Sequence, residues 1–196
     1  AKVKIDWINA EKIETNQLIS NLQNVDGILI PGGFGYRGIE GKIQAIKFAR
    51  ENDVPFFGIC LGMQLSVIEI SRNLLGNEDS NSTEFKLSNH PVVSLMTEWN
   101  NENKIEKRDL DSDKGGTMRL GAFKAVLKKG SKIHSIYKSD EISERHRHRY
   151  EVDLSYTKNF EENGFHFSGM SPNNVLPEVI ESVNHKWFIG VQFHPE

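Results

Sequence analysis

Val54-Pro55-Phe56-Phe57-Gly58-Ile59-Cys60-Leu61-Gly62 decides the fold. A continuous apolar run of this length reads as a strand buried on both faces, as in a parallel sheet. It breaks at a cysteine between two glycines, and Leu61 to Leu75 then carries apolar residues at helical spacing up to Gly76. The same pattern stands one unit earlier. Ile28-Leu29-Ile30 is a short apolar run, Pro31 opens the glycine-rich loop Gly32 to Gly38, and Glu40 to Asn52 places Ile43, Ile46, Phe48 and Ala49 on one helical face. Two strand-to-helix units in succession predict parallel strands with helices on both faces. Right-handed crossovers bring both loops to the carboxyl edge of the sheet, where open α/β sheets bind ligands.

Outward from this core, Val3 to Ile8 alternates as a half-buried strand does, and Glu11 to Val25 reads as a helix. Asn77 to His90 is a polar connection, and Pro91 to Met96 a strand. Thr97 to Lys114 is charged and Asn-rich and reads as a mobile insertion. Strands are expected at 118–127, 144–152, 165–171, 178–183 and 187–193, with a helix over Leu154 to Asn163. The fold class is therefore α/β: an open, mostly parallel central sheet of flavodoxin-like type, with an added antiparallel-rich half. No linker divides the 196 residues, so a single domain is expected.

Composition narrows the function classes. The chain has 24 Lys+Arg against 27 Asp+Glu, a net charge of -3, which argues against a nucleic-acid or anionic-membrane binder. No apolar run reaches the roughly 20 residues of a membrane helix. One cysteine, Cys60, excludes an internal disulfide and suits a reducing, cytoplasmic setting.

Gly33-Phe34-Gly35-Tyr36-Arg37-Gly38 matches G-x-G-x-x-G, with Asp53 placed 20 residues after Gly33. In a dinucleotide site the ribose-binding acid stands at the carboxyl end of the second strand. Asp53 precedes that strand, about 20 Å away at 3.3 Å per residue. Tight-turn glycines explain the loop equally well, and so do backbone N–H groups left open to an anion.

Gly58-Ile59-Cys60-Leu61-Gly62 has the form of a nucleophile elbow with a thiol in place of the hydroxyl. The sharp turn projects the sulfur from the sheet edge, and the helix amino terminus is expected to lower its pKa. The N–H of Leu61 points where an oxyanion would form. In His194-Pro195-Glu196, residues two apart share a face, so an imidazole and a carboxylate stand together. Cys60, His194 and Glu196 make a nucleophile, an acid–base and an orienting group. Arg145-His146-Arg147-His148-Arg149 puts three arginines on one strand face and two histidines on the other. A two-histidine metal site lacks a third ligand in sequence, so no metal is expected.

Phe57 to Gln64 together with Gln192 to Glu196 resembles the class I glutamine amidotransferases. Pro31–Gly38, Asn81-Ser82-Thr83-Glu84-Phe85, Gly115–Gly121 and Glu144–Val152 narrow the resemblance to the glutaminase domains of the CTP synthase family. The resemblance implies that Cys60 attacks the side-chain amide of L-glutamine, that His194 protonates the departing ammonia, and that Glu196 orients His194. It assigns the oxyanion hole to the backbone N–H groups of Gly33 and Leu61. Glutamine binding falls to Gly33, Leu61, Gly62, Met63, Gln64, Glu84 and Arg149, with Glu84 for the ammonium and Arg149 for the carboxylate. It further implies a covalently linked synthetase domain that aminates UTP with ATP and Mg, and a tetramer of the full enzyme. GTP is implied as an allosteric activator answered by Arg108, Thr117 and Arg119. No cofactor is expected in the glutaminase domain itself. The alternatives are the glutaminase domain of a GMP synthetase type enzyme, a γ-glutamyl peptidase, and a non-catalytic ammonia-channel or interaction module.

Overall fold

A computed structural model describes residues 2–11, 18–95, 98–101, 104–107 and 118–196. Its elements run α1 (Leu18–Leu22), β1 (Ile28–Ile30), α2 (Ile39–Glu51), β2 (Phe56–Ile59), α3 (Leu61–Asn73), β3 (Val93–Leu95), β4 (Glu98–Asn101), β5 (Lys104–Lys107), β6 (Arg119–Leu127), α4 (Lys132–Tyr137), β7 (Glu141–His148), β8 (Tyr150–Val152), α5 (Thr157–Glu162), β9 (Phe165–Met170), β10 (Pro177–Ser182) and β11 (Phe188–Val191).

Seven strands form one sheet in the order β1-β2-β11-β10-β9-β6-β7. The pairs β1/β2 and β2/β11 are parallel, and every later pair is antiparallel. The α/β class holds, and the antiparallel half extends the same sheet. Alternation along the strands divides the core between its two faces. Phe56, Phe188 and Ile180 pack with α2 and α3 on one face. Phe57, Ile59, Ile189, Val191 and Val179 pack with Ile133 and Tyr137 of α4 on the other.

α3 is the central helix, buried from Leu61 to Ser71. Its one buried charge, Glu69, is fully shielded and accepts a fork from Arg50 of α2, with Nε–Oε2 2.9 Å and Nη2–Oε1 2.8 Å. The two helices are thus joined by a charge pair that satisfies a carboxylate otherwise costly to bury.

Several expectations need correction. Val3 to Ile8 forms no strand; Val3, Ile5 and Trp7 are 83%, 64% and 88% exposed, because no neighbouring strand lies against them. Of the helix expected over Glu11 to Val25, α1 is the described part, and 12–17 lie outside the described residues. Within the expected insertion, Glu98–Asn101 and Lys104–Lys107 pair as an antiparallel hairpin. The strand expected over 144–152 is two: the chain leaves the main sheet at Arg149, and β8 pairs with β3 instead. The short helix α4 was not read from the sequence, although Ser131 caps it by accepting the His134 N–H at 3.1 Å.

Candidate active site

Cys60 sits between β2 and α3 with φ 50° and ψ -100°, a conformation that L-residues rarely adopt. Two glycines make the turn possible. A Cβ on Gly58 would stand 2.7 Å from the Gly62 backbone, and one on Gly62 would collide with the Ile30 carbonyl oxygen. The elbow is therefore wedged against β1. The Cys60 N–H donates to the Val191 carbonyl at 2.7 Å, tying the nucleophile to β11.

Three residues beyond Val191 stands His194. Its N–H donates to the Arg145 carbonyl at 2.7 Å, which fixes the chain as it leaves the sheet. The ring Nδ1 lies 2.8 Å from Glu196 Oε1. A carboxylate can only accept here, so Nδ1 carries the proton and Nε2 holds the lone pair. Nε2 is buried and unpartnered among the described residues, as an acid–base atom waiting for a substrate must be. Burial pushes Glu196 up, but the hydrogen bond with His194 and the charges of His194 and Arg145 outweigh it and hold the carboxyl low. Gly32 completes the contact: a Cβ there would lie 2.6 Å from His194 Cε1. The glycine loop is thus shaped to admit the imidazole.

The thiol does not behave as the helix position suggests. Burial pushes Cys60 up to about 12, the carboxylates of Glu151, Glu84 and Glu196 add to this, and the Leu61 N–H only partly offsets them. The expected depression is overturned because the residue is 2% exposed and surrounded by negative charge. The buried thiol holds its proton, so attack on a substrate must pass that proton to a base.

A cavity of about 410 Å³ opens beside the sulfur, lined by Gly33, Phe34, Cys60, Gln64, Glu84, Met118, Arg147, His148, Arg149 and Tyr150. This is the size of a small-molecule site. Glu84 Oε1 accepts the Gly35 N–H at 2.9 Å, so the candidate ammonium ligand also pins the glycine loop. Burial raises its pKa, against the Gly35 hydrogen bond and the charge of Arg149. Gln64 donates to the Tyr150 carbonyl at 2.9 Å and to Gln192 Oε1 at 3.1 Å, which fixes its amide in the cavity wall. Arg149 reaches the cavity because β7 ends one residue before it. Gly62 and Met63, expected to bind substrate, do not line it; Met63 is fully buried against Gly190. The Leu61 side chain packs against Gly33, where a Cβ would stand 3.2 Å from Leu61 Cδ2. Glu84→Gln keeps an oxygen for Gly35 but removes the charge. It is expected to raise KM for glutamine by about tenfold with little change in kcat, read in a steady-state glutamate-release assay.

Sequence reasoning missed Phe34, Met118, Arg147, His148 and Tyr150 as cavity residues. The Arg147 guanidinium stands 5.9 Å from the Phe34 ring at the mouth. Phe34 lies inside the glycine loop and Arg147 beside Arg149, so adjacency was the available signal. Of the three residues expected to answer a nucleotide, Arg108 and Thr117 lie outside the described residues. Arg119 is 2% exposed, and its guanidinium is spent on Glu178 at 2.6 Å and Glu151 at 3.3 Å, so it does not face solvent. His146 Nδ1 and His148 Nε2 stand 3.0 Å apart, within hydrogen-bond distance. Asp53 accepts the Lys186 N–H at 2.8 Å at the amino end of β2, away from the glycine loop.

The whole chain, residues 1–196, matches the family model for class-I glutamine amidotransferases. It is 57% identical over its full length to a CTP synthase of a Bradyrhizobium species, of which it covers 36%. It is 59% identical to the CTP synthase of Brucella anthropi, again over 36% of that protein. The chain thus spans about a third of the curated relatives it matches. Its fold superposes on the glutaminase domain of the Trypanosoma brucei CTP synthase, solved with bound acivicin, at a TM-score of 0.87 and 38% identity, covering all of this chain and 74% of that one. A glutamine amidotransferase from Thermotoga maritima shares the fold at a TM-score of 0.52 and 16% identity, over 88% of this chain and 57% of that one.

Proposed function

This chain belongs to the class-I glutamine amidotransferase family, among the glutaminase domains of CTP synthases, and we propose that it hydrolyses L-glutamine to glutamate and ammonia through a Cys60 thioester. The observation that carries the reading is the strained Cys60 elbow, tied to Val191 of β11, together with the His194–Glu196 pair at 2.8 Å three residues beyond Val191, where Gly32 leaves room for the imidazole.

Glutamine enters the cavity with its ammonium toward Glu84 and its carboxylate toward Arg149. The Cys60 thiol gives its proton to His194 Nε2 as the sulfur bonds to the amide carbon. The oxyanion is held by the N–H groups of Gly33 and Leu61, each donor contributing about 3 kcal/mol in the transition state. His194 returns the proton to the nitrogen, the carbon–nitrogen bond breaks, and ammonia leaves. Water, deprotonated by the same nitrogen, then cleaves the thioester to glutamate and free thiol. Burial keeps the proton on the thiol, so the sulfur becomes an anion only as substrate and base close on it.

In the longer protein the ammonia passes to a linked synthetase domain, which aminates UTP at the expense of ATP with Mg, in a tetramer stimulated by GTP. The support is the 57–59% identity to CTP synthases. The test is a diazo-ketone analogue of glutamine, which is expected to add covalently to the Cys60 peptide in a mass spectrum. A folded protein with no adduct on that peptide overturns the reading.

A further inference from the structure

Beneath the cavity floor lies a group of charged and polar side chains that the proposed reaction does not use. Glu178 on β10 is fully buried. Its Oε1 accepts from Arg119 Nη2 at 2.6 Å. Its Oε2 faces His146 Nε2 at 3.7 Å, and neither atom has a hydrogen-bond partner among the described residues. His146 is fully buried too, between the rings of Phe123 and Phe193.

The hydrogen bonds assign the protons. His148 Nδ1 lies 3.1 Å from the Tyr150 carbonyl and 3.5 Å from Glu151 Oε1, both acceptors, so it carries a hydrogen. In the neutral ring His148 Nε2 then accepts, and its partner at 3.0 Å, His146 Nδ1, donates. That leaves His146 Nε2 as a lone pair. A lone pair facing an ionised carboxylate in a site shut off from water is unfavourable on both sides.

We propose that Glu178 is held as a neutral carboxylic acid, its proton on Oε2 and directed at His146 Nε2. The broad terminal torsion of a glutamate lets the 3.7 Å separation close. Three donors then run in one direction, from Glu178 to His146, from His146 to His148, and from His148 to the Tyr150 carbonyl in the cavity wall. The carbonyl also receives Gln64, so the proton on Glu178 fixes the polarity of a chain that ends at the site. Glu151 is left to answer the Arg119 charge.

The groups facing this pair are Arg119 on β6, His148 on β7 and Glu151 on β8, with His194 acting on His146 from beyond β11. Burial raises Glu178, against the opposing pull of Arg119. Burial, then the Arg119 charge and the neighbouring His148 and His194 rings, push His146 far below its ordinary value. Both directions leave the proton on the carboxyl.

Glutamine is the isostere of a protonated glutamate, and its amide N–H can meet His146 Nε2. Glu178→Gln in the full chain is therefore expected to keep or raise Tm at pH 7. The sign follows from linkage: a carboxyl raised in the folded state binds its proton more tightly there, so wild-type stability falls as pH rises from about 4.5 through the folded value. The Tm advantage of Glu178→Gln is expected to widen across that window. An infrared difference spectrum is expected to contain the C=O stretch of a protonated carboxyl in the wild type and not in the variant. A marked fall in Tm for Glu178→Gln at pH 7, a missing carboxyl band, or ¹⁵N shifts showing His146 protonated at Nε2 would each overturn the proposal.

Discussion

Cys60→Ala is expected to lower glutamine hydrolysis by at least about 10⁴-fold with Tm nearly unchanged, because it removes the only atom that can form the thioester. Gly32→Ala is expected to cost about 100-fold while leaving the thiol in place. Its Cβ would stand 2.6 Å from His194 Cε1, so the ring must move, and a displacement near 1 Å in an acid–base group is worth that much. Gly27→Ala is the control. Its Cβ meets the Pro55 carbonyl oxygen at 3.4 Å, an ordinary contact, at the amino end of β1 away from the cavity. Glutamate release and thermal melting measured on the three variants separate loss of chemistry from loss of fold. Equal rates for Gly32→Ala and the wild type would mean that His194 is not held where the structure has it.

Arg119→Met is expected to destabilise the fold by about 3–5 kcal/mol, a drop in Tm of roughly 10 °C. The guanidinium is 2% exposed and meets Glu178 at 2.6 Å and Glu151 at 3.3 Å, and these are 0% and 2% exposed. Methionine fills the stem but leaves one buried carboxylate uncompensated. Lys129→Met is the matching change at the surface. Lys129 Nζ meets Asp140 at 3.0 Å, a good distance, but the two side chains are 77% and 58% exposed, and such pairs contribute little to stability. Urea melts that gave the two variants similar losses would mean that burial does not set the strength of these pairs.

Much of this was legible in the chain. The apolar runs before Pro31 and Cys60 announced parallel strands because only a strand covered on both faces is apolar throughout. Cys60 and His194-Pro195-Glu196 were legible because an elbow needs glycines and an extended tripeptide puts alternate side chains together. The place of Arg119 was not: the resemblance gave it to the response to GTP, and only strands from distant parts of the chain bring Glu151 and Glu178 to it. The Val3 to Ile8 alternation failed because a pattern of period two states a readiness to pair, and pairing requires a neighbour.

The apolar strand that leads into the elbow, the glycines that flank Cys60 and the His194-Pro195-Glu196 spacing were legible as local order, since each depends on residues within a few positions of one another. The acidity of Cys60, the need for glycine at 32 and the fate of Arg119 were decided by the tertiary structure. They depend on burial and on charges brought from across the sheet. At Cys60 the burial that the tertiary structure imposes outweighs the N–H that the adjacent Leu61 supplies.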